Sequence, residues 1–209
     1  MNLFWLALAW TAYALLHSAL ASFALKSRVA RHWPGFMPWY RLAYNVFAAL
    51  AALPLAWLIY ALPGNWLWRW TGVWAWLADG LALAALAGFA VSTRWYDMDE
   101  FLGLRQLREH AASADRAGGF AISPFHRFVR HPWYCFGLVV VWTRDMNAAW
   151  LLSALAITAY FALGSRLEEK KLLALHGEAY RRYMARVPAL LPLPWKTLSR
   201  EEAAELIAP

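Results

Sequence analysis

Cysteine is almost missing from this chain. Cys135 is the only one in 209 residues, which excludes a disulfide framework. Charge is scarce too, at 16% of residues against about 25% in an ordinary soluble domain. No HExxH or paired-cysteine spacing occurs, so no metal site is expected. There is no Walker loop and no GxGxxG after a strand-like run, which removes the soluble nucleotide-binding folds. Internal repeats, low-complexity tracts and convincing strand alternation are absent as well.

What is present points one way. Hydrophobic residues make up 62% and aromatics 17%, with 15 Trp, so disorder is excluded. That much apolar surface exceeds what the core of one small domain can hide. The formal charge of +7 would suit nucleic acid, yet a lipid bilayer explains charge and hydropathy together. A membrane partner is expected and a nucleic-acid partner is not.

A helix needs about 20 apolar residues to cross a bilayer core. Runs 3–25, 42–62 and 72–91 each meet that need, the second carrying Pro54 and the third Asp79. The first run lacks a basic start and is longer than a signal-peptide core of roughly 7–15 residues, so it is expected to be retained. A fourth region, 133–164, is broken at Thr143-Arg144-Asp145-Met146-Asn147 and reads as a helical hairpin. Its first arm, between Pro132 and Thr143, reaches only about half the hydrocarbon thickness. A re-entrant or shortened arm is expected there. The fold class is therefore an all-α polytopic transmembrane bundle of about five membrane helices in one membrane domain, 1–209. Three helices lie in 1–92, a cytoplasmic or interfacial segment in 93–131, and the hairpin and tail in 132–209.

Of the 20 basic residues, 18 fall in segments 25–41, 93–131 and 165 onward; only Arg69 and Arg144 lie elsewhere. If basic loops stay inside, the N-terminus faces out and the C-terminus faces the cytoplasm. Segment 96–117 carries Phe101, Leu102, Leu104 and Leu107 among charges, which predicts an interfacial amphipathic helix ending near Gly118-Gly119. After Gly164 the long arm is expected to leave the membrane as a helix through Leu167, Leu172 and Leu173, stopping near Gly177. Pro188, Pro192 and Pro194 then predict an extended, interfacial end.

Three clusters bear chemistry. In Arg127-Phe128-Val129-Arg130-His131-Pro132-Trp133-Tyr134, Pro132 pushes His131 toward an extended backbone and suits the first position of a helix. Helix-start N–H groups and two arginines can form an anion-binding corner. Positive-inside anchoring with belt aromatics explains the same residues equally well. In Glu168-Glu169-Lys170-Lys171, adjacent helix positions sit about 100° apart, so the two carboxylates are not expected to reach one spot. One is expected inward and the other paired with lysine in solvent. Tyr180 and Tyr183 share a face at i,i+3 spacing, either as an aromatic wall for a cationic group or in the headgroup layer. His17 and Asp79, costly in hydrocarbon, are either packing hydrogen-bonders or functional.

The order of motifs carries more than any one of them. Arg130-His131-Pro132-x-Tyr134, a broken apolar hairpin, Glu168-Glu169, Tyr180-x-x-Tyr183 and Val187-Pro188 together resemble the integral-membrane methyltransferase superfamily of isoprenylcysteine carboxyl and phospholipid methyltransferases. The match covers roughly residues 118–195. Leu16-His17-Ser18 and Tyr40-Arg41-x-x-Tyr44-Asn45 are more similar to the bacterial methanethiol S-methyltransferase and NnrU-like branches. The family's Gly-Pro-Tyr is replaced here by Pro124-Phe125-His126, and the glycine after the tyrosine is displaced to Gly137.

The resemblance implies S-adenosylmethionine as methyl donor and a small or lipophilic acceptor, with thiol or carboxylate favoured, in a bacterial inner membrane. It implies donor binding by Arg130, His131, Pro132, Tyr134, Glu168, Glu169, Tyr180 and Tyr183, with Arg130 on the donor carboxylate and either glutamate on its ammonium or ribose. No catalytic acid–base residue is singled out. The alternative is a non-catalytic NnrU-like accessory protein that keeps the fold.

Overall fold

The computed structural model describes residues 3–62, 64–110 and 122–207. The protein is an all-α polytopic membrane bundle. Four helical stretches are long and apolar enough to span: 3–21, 34–61, 73–95 and 148–186. A shorter apolar helix covers 132–142. Their outward surfaces are apolar, as lipid contact requires; Trp76 is 80% exposed and Tyr60 77%. The chain packs as two compact units, each built from segments distant in sequence.

The first unit contains α1 (Leu3–Ala21), α2 (Phe23–His32), α3 (Met37–Ala61) and β1 (Trp66–Trp68). It also holds two short helices, α5 (Met98–Leu102) and α6 (Leu104–Arg108), and β2 (Met146–Asn147) with the start of α8 (Ala148–Arg186). The first apolar run does not continue unbroken to Leu25. Ser22 takes an extended backbone and its hydroxyl accepts from Leu25 N–H, so a new helix starts at Phe23 where the basic residues begin.

Segment 96–117 is likewise not one helix. Gly103 adopts a left-handed φ of +91°, ending α5, and a side chain there would meet the backbone N of Leu42 at 2.6 Å. The expected end near Gly118-Gly119 lies outside the described residues. A small ladder, unexpected from the sequence, pairs β1 with β2 antiparallel. These few residues show no alternation because only backbone pairing defines them. Asn147 then opens α8, its Oδ1 accepting from Trp150 N–H at 2.9 Å. Leu6, Ile59, Leu62 and Ala149 form the core here, and Trp10 Nε1 donates to Ser153 Oγ at 2.9 Å.

The motif Tyr40-Arg41-x-x-Tyr44-Asn45 laces this unit together. Its i,i+4 spacing sets two residues on each of two adjacent faces of α3. Tyr40 Oη donates to Leu20 O (2.7 Å), and Tyr44 Oη lies 2.7 Å from His17 Nε2. Arg41 Nε and Asn45 Nδ2 both donate to Phe101 O, at 3.3 and 2.9 Å. His17 also stacks on Tyr13. In this unit His17 is thus engaged as a packing hydrogen-bonder.

The second unit contains α4 (Val73–Ser92), α7 (Pro132–Trp142), the rest of α8 and α9 (Arg200–Ile207). Glycines allow close helix approach. A Cβ at Gly88 would sit 2.9 Å from the Phe136 ring, and one at Gly137 would sit 3.1 Å from Phe161. Trp133 Nε1 donates to Ser92 Oγ at 2.7 Å, tying α7 to α4. At the other end of α7, Trp142 Nε1 donates to Thr158 Oγ1, and Arg144 pairs with Asp79 at 3.0 Å. Asp79 is therefore neutralised by the hairpin turn. α7 has 11 residues, about 16 Å, close to half the bilayer core.

α8 is interrupted at Gly177, where a stop was expected, and helix then continues beyond it. Gly177 takes φ +56° and ψ −127°, a conformation only glycine adopts cheaply, so the helix bends there and resumes to Arg186. Beyond it, α9 folds back onto the tail. Tyr180, Tyr183, Val187, Leu198 and Ala203 form this second core.

Candidate functional site

The second unit assembles most of the residues singled out by the sequence around the start of α7. Residues Arg130 and His131 run alongside the chain after α8: Arg130 N–H donates to Pro188 O (2.8 Å) and His131 N–H to Ala189 O (3.0 Å). His131 then holds the N-cap position of α7 at φ −121°, ψ 75°, and Pro132 is fully buried at the first helical position. The conformation that proline imposes on its predecessor thus aims the imidazole at α8.

On α8, Phe161, Ser165 and Glu169 recur at i, i+4 and i+8 and share the inward face. Glu169 is 9% exposed and anchors the site. Arg130 Nε donates to its Oε1 at 2.8 Å, and His131 Nε2 lies 3.0 Å from the same oxygen. Arg130 Nη1 also donates to Met184 O, at 3.0 Å, and to Val187 O. The guanidinium is thereby bound up inside the protein.

Glu168 is 50% exposed, and its Oε2 lies 3.4 Å from His131 Nδ1. The two neighbouring carboxylates therefore do reach one group. They do so although they diverge by about 100°, because imidazole offers nitrogens on two edges and the ring stands between them. A neutral imidazole has one N–H; only the protonated ring can donate to both acids. Burial alone would lower the pKa of His131. Its hydrogen bonds to Glu168 and Glu169, with their charges, outweigh burial and hold it above the ordinary histidine value.

Aromatic rings extend the site. Tyr134 stacks on His131 (centroids 5.3 Å, 11° between planes) and on Phe161 (4.5 Å, 10°). Phe161 was not singled out from the sequence; its spacing of eight residues from Glu169, which puts both on one helix face, is the signal that could have found it. Tyr180 and Tyr183 are brought close to this region but into the tail core, each 2% exposed, and Tyr183 Oη donates to His126 O at 2.7 Å. His126, at the position that departs from the resembled pattern, has its Nδ1 2.7 Å from Ser123 Oγ. Burial pushes its pKa down to about 4, the charge of His131 acts in the same direction, and Glu168 opposes. Arg127, the other arginine of the expected anion corner, donates from Nε to Leu198 O at 2.9 Å. Both arginines therefore hold the tail against the start of α7.

A half-exposed carboxylate, a buried histidine paired with two acids and a stack of rings, gathered where α7 begins, define a membrane protein with a polar site at the end of an apolar hairpin. The relatives give that class its family. The chain is 35% identical over 185 residues to methanethiol S-methyltransferase 2 of Bradyrhizobium diazoefficiens, covering 86% of this chain and 69% of that protein. It is 32% identical to the methanethiol S-methyltransferase of Crocosphaera subtropica (86% and 71% covered) and 33% identical to that of Mycobacterium tuberculosis (87% and 75%). This chain belongs to the methanethiol S-methyltransferase family, a family of membrane methyltransferases. No family model matches the chain, and no solved structure matches it.

Proposed function

We propose that the protein transfers a methyl group from S-adenosylmethionine to a small thiol at the cytoplasmic mouth of α7 and α8. The N-terminus then faces outward, and the wider kinship is with the isoprenylcysteine carboxyl and phospholipid methyltransferases. The observation that carries the reading is Glu168. It is a half-exposed carboxylate with one oxygen facing a buried imidazole, beside a run of stacked rings, in a chain whose relatives are named for methyl transfer to a thiol.

The donor set fits. Glu168 has acceptor capacity left for an ammonium or ribose hydroxyls, and aromatic faces favour a sulfonium. Arg130 fits less well as a direct clamp, because Nε and Nη1 already hold Glu169 and two carbonyls. Its role is to fix Glu169, which orients His131, which orients Glu168. When bound, the donor supplies an electrophilic methyl group on sulfur. Glu168 binds and orients, while Tyr134 and Phe161 provide the apolar wall from which water is excluded. A thiolate needs no elaborate base, so positioning supplies most of the rate. The apolar helices around the mouth admit a small, membrane-permeant thiol.

The test uses purified protein in detergent, donor binding by calorimetry, and headspace detection of the methyl thioether formed from methanethiol. Glu168→Gln keeps the shape and should weaken donor binding at least tenfold, about 1.4 kcal/mol. Unchanged affinity with intact folding removes the site. Tight donor binding without thioether formation removes the thiol.

A further inference from the structure

Between Ala189 and Leu198 the chain leaves the body of the second unit and returns to it. Both ends are tied to the residues that precede α7. Pro188 and Ala189 accept from Arg130 and His131, while Leu198 N–H donates to Arg127 O at 3.0 Å and Leu198 O accepts from Arg127 Nε. Pro132 follows directly and begins an apolar helix, so residues 127–131 mark the level at which the chain meets the hydrocarbon. The loop is therefore held at that same level.

Its tip is apolar and bare. Leu191 is 61% exposed and Trp195 77%; Pro192 and Pro194 are exposed beside them. The tip is closed by a turn. Lys196 N–H donates to Leu193 O at 2.9 Å, closing a four-residue turn with Pro194 at the second position, where its fixed φ suits the bend. Phe128, also exposed, lies beneath the Arg127 guanidinium (5.6 Å) at the loop's base. A large indole displayed on an exposed turn is costly in water. It is favourable at a headgroup layer, where Trp collects and lysine extends its ammonium to phosphate. Lys196 and Arg200 supply the positive charge; of the three acids of α9, Glu202 is engaged by Arg186 and the Ser199 N–H and Glu201 by the Ser199 hydroxyl, while Glu205 lies furthest along the helix from the tip.

The geometry points to residues 190–196 as an interfacial anchor that seats Leu191 and Trp195 in the anionic headgroup layer of the leaflet where α7 begins. The anchor presses the tail, with its Tyr180–Tyr183 core, onto the mouth of the hairpin. It is independent of the reaction proposed above.

Nitroxide labels at Leu191→Cys or at Glu178→Cys, each in a Cys135→Ser background, test this in bilayer discs of mixed phosphatidylcholine and phosphatidylglycerol. Collisions are compared between oxygen, which enters the bilayer, and a water-soluble nickel chelate. Glu178 is an exposed tail residue and serves as the aqueous reference. The oxygen-to-nickel ratio at 191 should exceed that at 178 by about threefold or more. Trp195→Lys should pull it back toward the reference, and Lys196→Glu should do so only in discs that contain the anionic lipid. Equal ratios at both positions, or indifference to Trp195→Lys, overturn the proposal. So does protection at 191 that appears only with two protein copies per disc, which would assign the surface to self-association.

Discussion

Glu169→Gln isolates the charge that holds the site together. Glu169 is 9% exposed and Arg130 10%, and the same carboxylate oxygen also faces His131. Removing one partner of a buried pair strands the other charge and typically costs about 3–5 kcal/mol. Here the Met184 and Val187 carbonyls still accept from Arg130, and Glu168 still faces His131, so a loss of about 3 kcal/mol is expected. In a protein of this size that corresponds to roughly 6–12 °C in Tm. Cys135, the sole cysteine and buried, reports unfolding through a thiol-reactive dye. Glu168→Gln, at 50% exposure, should cost under about 1 kcal/mol in the same assay. A combined Arg130→Met and Glu169→Leu variant should be less destabilised than the sum of its single changes. Equal, small shifts for Glu168→Gln and Glu169→Gln would refute the inference that Glu169 is the buried keystone.

Four further outcomes follow from other parts of the structure. Gly103→Ala meets both a left-handed φ and the Leu42 backbone, so thermal unfolding should show a loss of about 2 kcal/mol or more, with donor binding by the folded fraction unchanged. Tyr183→Phe deletes the bond to His126 O and should lower stability by about 1 kcal/mol in the dye assay. His126 stays neutral when folded, down to about pH 4, but protonates when unfolded near 6.5. Stability should fall as pH drops through that window, and His126→Asn should flatten this acid limb. His131 has the opposite sign. Its folded pKa is raised, so its contribution is full below 6.5 and fades as pH rises through the folded value. His131→Gln should flatten that alkaline limb in the same titration.

Much of the site was written along the chain. Pro132 after His131 sets the N-cap, and the turn at 143–147 sets the hairpin, because proline geometry and polar breaks act locally. Gly103 breaks its segment by adopting a positive φ, which a glycine does not announce in sequence, so the longer helix expected there ends early; Gly177, expected as a stop, interrupts α8 by the same means. The Tyr40-Arg41-x-x-Tyr44-Asn45 motif was visible as a pattern, yet its partners, Leu20, His17 and Phe101, lie far away in sequence.

Composition alone determined that this is a membrane helical bundle, since no small soluble core can absorb so much apolar surface. Motif order singled out which residues gather at one end of the hairpin. Only tertiary structure decided how they share the work. Glu169 turns inward and Glu168 outward, both arginines clamp the tail, and Tyr180 and Tyr183 build a core. Those choices depend on which helix face meets α7 and on where the chain beyond Arg186 returns, distances that no local spacing encodes.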